Sequence, residues 1–295
     1  MTDKRNVLIV INPAAGQRAY KKKLNKIHNA LNQNDIEYSD FYTELDGKGK
    51  LANTLINHLE LTDIFVVGGD GTLNYTVNEL AGIKLPVSII SSGTGNDSVK
   101  SLHGATKFRQ QLEIALHGRV KTFDLGKCND TLFVNGVGIG FDGEVVNQMV
   151  KKGSKSGNHL DYLMTVLKII STYKEKTIGF EIDGKSFKKK VFLLTISNGS
   201  TFGGNFLINP FAKTDDGLLD ICIFNEISVS QRFRHLPKLK KGKHVKLDIT
   251  EFHTCRKVHV DTHSEVVAHL DGELIGHPPF DIKLADEKLY LRVPV

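Results

Sequence analysis

Residues 64–72 read Ile64-Phe65-Val66-Val67-Gly68-Gly69-Asp70-Gly71-Thr72, an apolar run that breaks abruptly into glycines. The pattern returns in Val87-Ser88-Ile89-Ile90, followed by Gly93-Thr94-Gly95-Asn96-Asp97. It also opens the chain, where residues 7–11 precede Asn12-Pro13-Ala14-Ala15-Gly16. Uninterrupted apolar runs suit strands buried on both faces of a parallel sheet. In such a sheet, strand C-termini and helix N-termini share one edge, where the first N–H groups of each helix lack partners. Glycine lets the backbone approach a phosphate there and adopt positive φ at low steric cost. Any single loop reads equally well as a plain turn. Three at equivalent edges, each with a polar residue beside its glycine, predict a polyphosphate cradle.

Helical repeats fill the spaces between these runs. Leu24, Ile27 and Leu31 recur at spacings of three and four; Leu51, Leu55 and Leu59 mark a second helix. Leu73, Val77 and Leu80 mark a third, with Thr72 as a candidate N-cap. Residues 37–42 read as a strand ending at Thr43. Strand alternating with helix predicts a doubly wound α/β domain whose ligand crevice lies outside the strand C-termini. From Phe133 onward the runs become short or alternating, with turn signals such as Asp183-Gly184 before residues 191–196. Asp-Gly between such runs is a strong hairpin cue. Residues 218–224, 245–249 and 258–260 continue the pattern, and residues 160–173 read as an amphipathic helix. The expectation is α/β plus all-β: an N-terminal doubly wound nucleotide-binding domain over residues 1–126 and a C-terminal antiparallel β-sandwich domain over residues 127–285.

With 295 residues, 40% of them hydrophobic, the chain is long enough for two cores. No apolar stretch reaches the ~18 residues of a membrane-spanning helix. Met1-Thr2-Asp3-Lys4-Arg5 runs straight into the first strand, so no signal peptide is expected. Cys128, Cys222 and Cys255 are odd in number and widely spaced. They fit neither a disulfide framework nor a zinc motif, which predicts a reducing, cytoplasmic setting. The net charge of +6 shows in Lys21-Lys22-Lys23, Lys188-Lys189-Lys190 and residues 238–244. Such runs are commonly solvated faces. Aromatics do not interleave with them, so nucleic acid is not an expected partner. Gly138-Ile139-Gly140-Phe141-Asp142-Gly143 matches the dinucleotide string G-x-G-x-x-G but lies far from the first strand–helix unit. His259, Asp261 and His263 share one face of an extended strand, with no further residue to close a metal site.

Asn12-Pro13-Ala14-Ala15-Gly16, Gly68-Gly69-Asp70-Gly71-Thr72-Leu73-Asn74 and Gly93-Thr94-Gly95-Asn96-Asp97 resemble the three N-terminal signatures of the diacylglycerol kinase catalytic-domain family. That family includes soluble bacterial diacylglycerol kinases, YegS-type lipid kinases, and sphingosine and ceramide kinases. The likeness continues through residues 210–219 and His269-Leu270-Asp271-Gly272-Glu273, so it spans nearly the whole chain. NAD kinases share the Gly-Gly-Asp-Gly-Thr loop; the late Asp-Gly-Glu favours the lipid-kinase branch. The resemblance implies an ATP- and Mg2+-dependent kinase that moves the γ-phosphate to a lipid hydroxyl, with diacylglycerol going to phosphatidic acid as the leading reaction. A NAD kinase-like enzyme and a non-catalytic nucleotide or lipid sensor stay open. The resemblance also implies that residues 286–295 rejoin the first domain. A lipid substrate implies peripheral association with the membrane surface, and a homodimer stays open.

Position by position, the resemblance assigns the nucleotide to Asn12, Pro13, Ala14, Ala15, Gly16 and Thr43, to the loop from Gly68 and Gly69 through Asp70, Gly71, Thr72, Leu73 and Asn74, and to Thr94 and Asn96. Asp70 is either a helix-cap aspartate or a residue that holds magnesium through water and orients the loop. Asp97 and Asp124 are candidates for further carboxylate charge at this edge, with Asp124 alternatively a hydrogen-bonder at the domain junction. Glu273 by itself reads as an exposed strand residue after an Asp271-Gly272 turn. The resemblance makes it the general base, an ionised carboxylate able to accept an alcohol proton. It also implies a structural magnesium on the carbonyls of Lys213 and Leu218 and the carboxylate of Asp216, oxygen ligands suited to a hard cation. Two positions depart from the family pattern: Tyr75 stands where glutamate is common, and Ser98 where an aromatic is usual.

Overall fold

Apolar strands flanked by amphipathic helices build the first half of the computed structural model, which describes residues 4–14, 19–44, 47–80, 82–93, 95–153, 159–262 and 264–295. The chain divides into two compact units, Met1–Phe123 with Glu287–Val295, and Asp124–Asp286.

The first unit runs β1 (Asn6–Ile11), α1 (Ala19–Gln33), β2 (Glu37–Tyr42), α2 (Lys50–Asn57), β3 (Asp63–Gly68), α3 (Asp70–Leu80), β4 (Val87–Ser91), α4 (Asp97–Leu102) and α5 (Phe108–His117). Its strands are parallel in the order β4-β3-β1-β2. Every residue of β3 and β4 is buried, which is why these strands read as mainly apolar runs without alternation. Val7, Ile9, Ile11, Phe65 and Val67 pack on Leu24, Ile27 and Leu31 of α1 and Ala115 of α5. The helices α2 and α3 bury Leu51, Leu55, Leu73 and Val77 elsewhere in the unit, with α3 packed on β3. The doubly wound α/β architecture is as expected. Thr72 is not an N-cap, however, because α3 already begins at Asp70.

The chain passes between units within β5 (Arg119–Cys128). The second unit continues with β6 (Thr131–Phe133), β7 (Gly136–Gly140), α6 (Phe141–Lys151), α7 (His159–Thr172), β8 (Lys176–Ile182), β9 (Lys185–Ser197), β10 (Thr201–Phe202), β11 (Phe206–Leu207) and β12 (Leu219–Asn225). Then follow α8 (Val229–Lys240), β13 (Thr250–Cys255), β14 (Lys257–Val260), β15 (Ala268–Leu270), β16 (Glu273–Gly276) and β17 (Phe280–Val293), whose last residues return to the first unit and pair Leu291 with Val87. The pairings are antiparallel: β7 with β9 and β15, β9 with β8 and β12, β12 with β13, and β14 with β8 and β17. Alternate residues of β12 enter different cores. Ile221 and Ile223 join Val137, Ile196, Val258 and Phe280, whereas Cys222 and Phe224 join Phe192 and Ile170 of α7. The result is a sandwich-like β unit with helices covering an outer face.

One strand expectation changes, and one helix goes beyond those expected from the sequence. Residues 245–249 are not a strand: Lys243–Lys246 form a 3-10 turn after Gly242 at φ +65°, and pairing starts only at Thr250. The cause is His244, which is fully buried and stacks on Phe224 with ring centroids 5.3 Å apart, pulling the segment inward. The helix α8 was masked by Pro237 in its interior, although Ser228 and Gln231 form a capping box at its start. No helix among the described residues is long and apolar enough to cross a membrane.

Candidate active site

In the first unit the glycine-rich loops after β3 and β4 touch backbone to backbone. A Cβ on Gly93 would lie 2.8 Å from Gly69 Cα, and one on Gly68 would lie 2.3 Å from Thr72 Oγ1. The Ser92 N–H donates to Gly68 O at 2.7 Å. Asp70 then crosses between the loops. Its Oδ1 accepts from Ser98 N–H at 2.9 Å and its Oδ2 from Asp97 N–H at 3.2 Å. These are the first N–H groups of α4, whose own N-cap residue, Asn96, offers no side-chain cap. Asp70 therefore caps α4 from another element and sits where the helix dipole favours an anion.

Asn12 ties the first loop to the second: its Nδ2 donates to Thr72 Oγ1 at 3.1 Å, while its Oδ1 accepts from Ala14 N–H at 2.9 Å. Thr43 closes β2 against β1 by donating its N–H to Ile11 O at 2.8 Å. Leu73 is core, and its N–H donates to Gly69 O at 3.1 Å, so it shapes the loop from within. Asn74 Oδ1 accepts from Asn78 Nδ2 at 3.2 Å. Pro13 and Ala14 are exposed, Gly71 lies in the first turn of α3, and Ala15, Gly16 and Thr94 fall outside the described residues. The Asp97 carboxylate faces Lys100 Nζ at 3.1 Å. Lys23 donates to Ser91 O at the end of β4, and burial holds its ammonium below the usual lysine range. Tyr75, the departure from the family pattern, donates its hydroxyl to Gly47 O at 2.9 Å. One turn on, Glu79 accepts from Gly49 and Ala52 N–H at 2.8 and 3.1 Å. The same face of α3 thus anchors the start of α2.

In the second unit, Asp124 is nearly buried and pins the loop before β12. Its N–H donates to Thr214 O and its Oδ2 accepts from Gly217 N–H, each at 2.7 Å. Asp216 Oδ1 accepts from Leu218 N–H at 3.2 Å. Burial, with the charge of Asp216 second, pushes the nearby Asp220 carboxyl up to about 6. Asn198, fully buried, bridges Asp124 O at 2.8 Å and Val134 O at 3.0 Å. The adjoining N–H groups of Val134, Asn135 and Gly136 all donate to the Asp271 carboxylate, at 2.8, 2.9 and 2.8 Å. Asp271 and Gly272 form the β15–β16 turn with φ of +47° and +90°, and Glu273 follows, exposed, as the first residue of β16. One hydrogen-bonded chain therefore links Asp124 to the turn carrying Glu273. Asn198 and Asp271 carry that link; the sequence shows Asp271 as a turn residue but not its bonds to the 134–136 backbone, and it does not single out Asn198.

The G-x-G-x-x-G string leaves no room for a dinucleotide. A Cβ on Gly143 would lie 2.1 Å from Val267 O, and the space beside Gly138 is filled by Asp142 and His269. Those glycines serve helix–strand packing. His259 Nδ1 lies 3.0 Å from Asp281 Oδ1, and His263 is outside the described residues. No three His, Cys, Asp or Glu side chains cluster as a metal cage among the described residues.

The model of the diacylglycerol kinase catalytic domain matches residues 6–128, and that of the YegS C-terminal NAD kinase beta sandwich-like domain matches residues 135–293. The diacylglycerol kinase of Staphylococcus carnosus is 23% identical over 94% of this chain and 91% of that protein. That of Bacillus subtilis is 24% identical over 92% of this chain and 90% of its own. A solved Bacillus anthracis structure, provisionally described as a diacylglycerol kinase, has a TM-score of 0.81 at 26% identity and covers 99% of this chain and 96% of that one. Fold, loops and relatives together define a phosphotransferase with an alcohol group as acceptor. The chain belongs to the diacylglycerol kinase family of lipid kinases.

Proposed function

We propose that the protein is an ATP- and Mg2+-dependent kinase that phosphorylates diacylglycerol to phosphatidic acid. The observation that carries this reading is the contact of the two glycine-rich loops, closed by Asp70 on the N–H groups of α4. A triphosphate fits the donors there: bare glycine backbone leading into α3, with the Ser92 hydroxyl buried nearby without a protein partner. Asn12 and the loop from Gly68 to Asn74 would hold the phosphates. Asp216, with the carbonyls of Lys213 and Leu218, is an oxygen-only set that suits a structural magnesium. Bound magnesium would supply charge neutralisation at the phosphates. Glu273 takes the proton of the acceptor hydroxyl as that oxygen bonds to phosphorus and the bond to departing ADP breaks.

Peripheral binding to anionic lipid forms part of the proposal. Of the basic clusters, Lys189 and Lys190 pair with Glu251 and Glu226, and Lys23 is half-buried with its Nζ donating to Ser91 O. The end of α8 keeps Lys238, Lys240 and Lys241, with Phe233 exposed one turn earlier. The test is transfer of labelled phosphate from Mg·ATP to diacylglycerol in anionic vesicles, run beside sphingosine, ceramide and NAD. Labelled phosphatidic acid is the expected product. Label on NAD alone, or on no acceptor, overturns the reading.

A further inference from the structure

The glycine string at residues 138–143 and His269 play no part in the reading above, yet they meet in one place. Gly138 on β7 pairs with His269 on β15, and Asp142 lies in the first turn of α6. His269 Nε2 is 3.2 Å from Asp142 Oδ2, and His269 Nδ1 is 3.2 Å from Gly272 N. A backbone N–H can only donate, so Nδ1 carries the lone pair and Nε2–H donates to Asp142. The other Asp142 oxygen accepts from Gly143 N–H at 2.9 Å, so both oxygens act as acceptors. The bond fits only beside glycine: a Cβ on Gly138 would lie 1.9 Å from Asp142 Oδ2 and 2.6 Å from His269 Nε2. Gly272, which this ring holds, is the residue immediately before Glu273. The preceding residue, Asp271, is held independently by its bonds to the 134–136 backbone.

We propose that Asp142 and His269 are positioning residues that aim Glu273 through the Gly272 N–H, with the imidazole fixed in one tautomer by the carboxylate behind it. This rests on Glu273 being the general base. Glu273 is itself exposed at the first position of β16, so its side chain inherits its direction from a backbone that the ring and Asp271 fix from two sides.

The test uses Asp142→Asn, which keeps size and shape. If its amide oxygen still accepts from Gly143 N–H, its NH2 faces Nε2 and drives the ring proton to Nδ1, against Gly272 N–H. The expected result is a fall in kcat of ~10- to 100-fold, with KM for ATP changed by less than about twofold. The melting temperature should move by less than ~3 °C, and the 15N shifts of His269 should report the exchanged tautomer. His269→Asn, whose carbonyl can replace Nδ1 as acceptor, should recover part of the activity lost in His269→Ala. Glu273→Gln separates the two ideas. Normal turnover in that variant ends the general-base reading whatever Asp142 does. If Glu273→Gln is inactive but Asp142→Asn keeps wild-type kcat, the positioning role is overturned. It is also overturned if Asp142→Asn weakens Mg·ATP binding as measured by calorimetry in the Glu273→Gln background, since the pair would then act elsewhere.

Discussion

A methyl group on Gly93 would stand 2.8 Å from Gly69 Cα, closer than two unbonded carbons approach, so the loops must part to admit it. Parting them also breaks the reach of Asp70 to Asp97 and Ser98. Gly93→Ala should therefore cost nucleotide more than fold: Mg·ATP, which should raise the melting temperature of the wild type, should give little or no shift in the variant at the same concentration. A wild-type shift would show that the loops do not grip the nucleotide. Glu273→Gln should behave in the opposite way. Its exposed side chain holds no part of the fold, so nucleotide affinity should stay within a few-fold while transfer to lipid disappears. Calorimetry with Mg·ATP alongside labelled-product assays distinguishes the two kinds of loss. A Glu273→Gln enzyme with normal turnover would remove that residue from the chemistry.

At the scale of elements, legibility followed burial. The strands β1, β3 and β4 were readable because both faces are buried and apolar residues fill most of each strand. The Asp183-Gly184 and Asp271-Gly272 turns were readable because two consecutive positive φ values select those residues. Residues 245–249 misled because Val245, Leu247 and Ile249 alternate as a strand would, while the deciding contact is the His244 ring against Phe224. The same limit applies to the site. Glycine loops announce themselves, but the partners of Asp70 and Asp271 lie far along the chain, and only tertiary structure brings them together. The His244 segment also predicts a pH response. Its Nε2 lies 2.9 Å from Ile208 O, and burial holds the imidazole below its ordinary value of 6.5. Unfolded chains then bind more protons below about 6.5, so this contribution is present above that pH and is lost on acidification. His244→Gln, which can still donate to Ile208 O, should show a shallower loss of stability between pH 7.5 and 5.5. The difference in slope should reach at most ~1.4 kcal/mol per pH unit by urea denaturation. Identical slopes would mean that His244 titrates as it does in the unfolded chain.

For the molecule as a whole, the first unit is completed by the chain's last residues, and one buried carboxylate fastens them. Asp63, 1% exposed at the start of β3, receives Arg5 Nε and Nη2 at 3.0 and 2.9 Å and Arg292 Nε at 2.6 Å. The remaining nitrogens of the two guanidiniums close the end of α5, with Arg5 Nη1 on Leu116 O at 2.7 Å and Arg292 Nη1 on Gly118 O at 2.8 Å. The residue before the first strand, the start of the third strand and the returning last strand therefore share a single charge. Either arginine alone can keep the carboxylate paired, so Arg5→Met and Arg292→Met should each cost about 1–2 kcal/mol, the scale of hydrogen bonds to a charged group. Removing both leaves Asp63 buried without a cation, a change that costs about 3–5 kcal/mol beyond lost contacts. The double variant should therefore lose more stability than the two singles summed, and chemical denaturation of all four proteins measures the excess. Strict additivity would mean that Asp63 is neutral or hydrated when its partners leave, and that the return of the last strand depends on the packing of Leu289, Leu291 and Val293 instead.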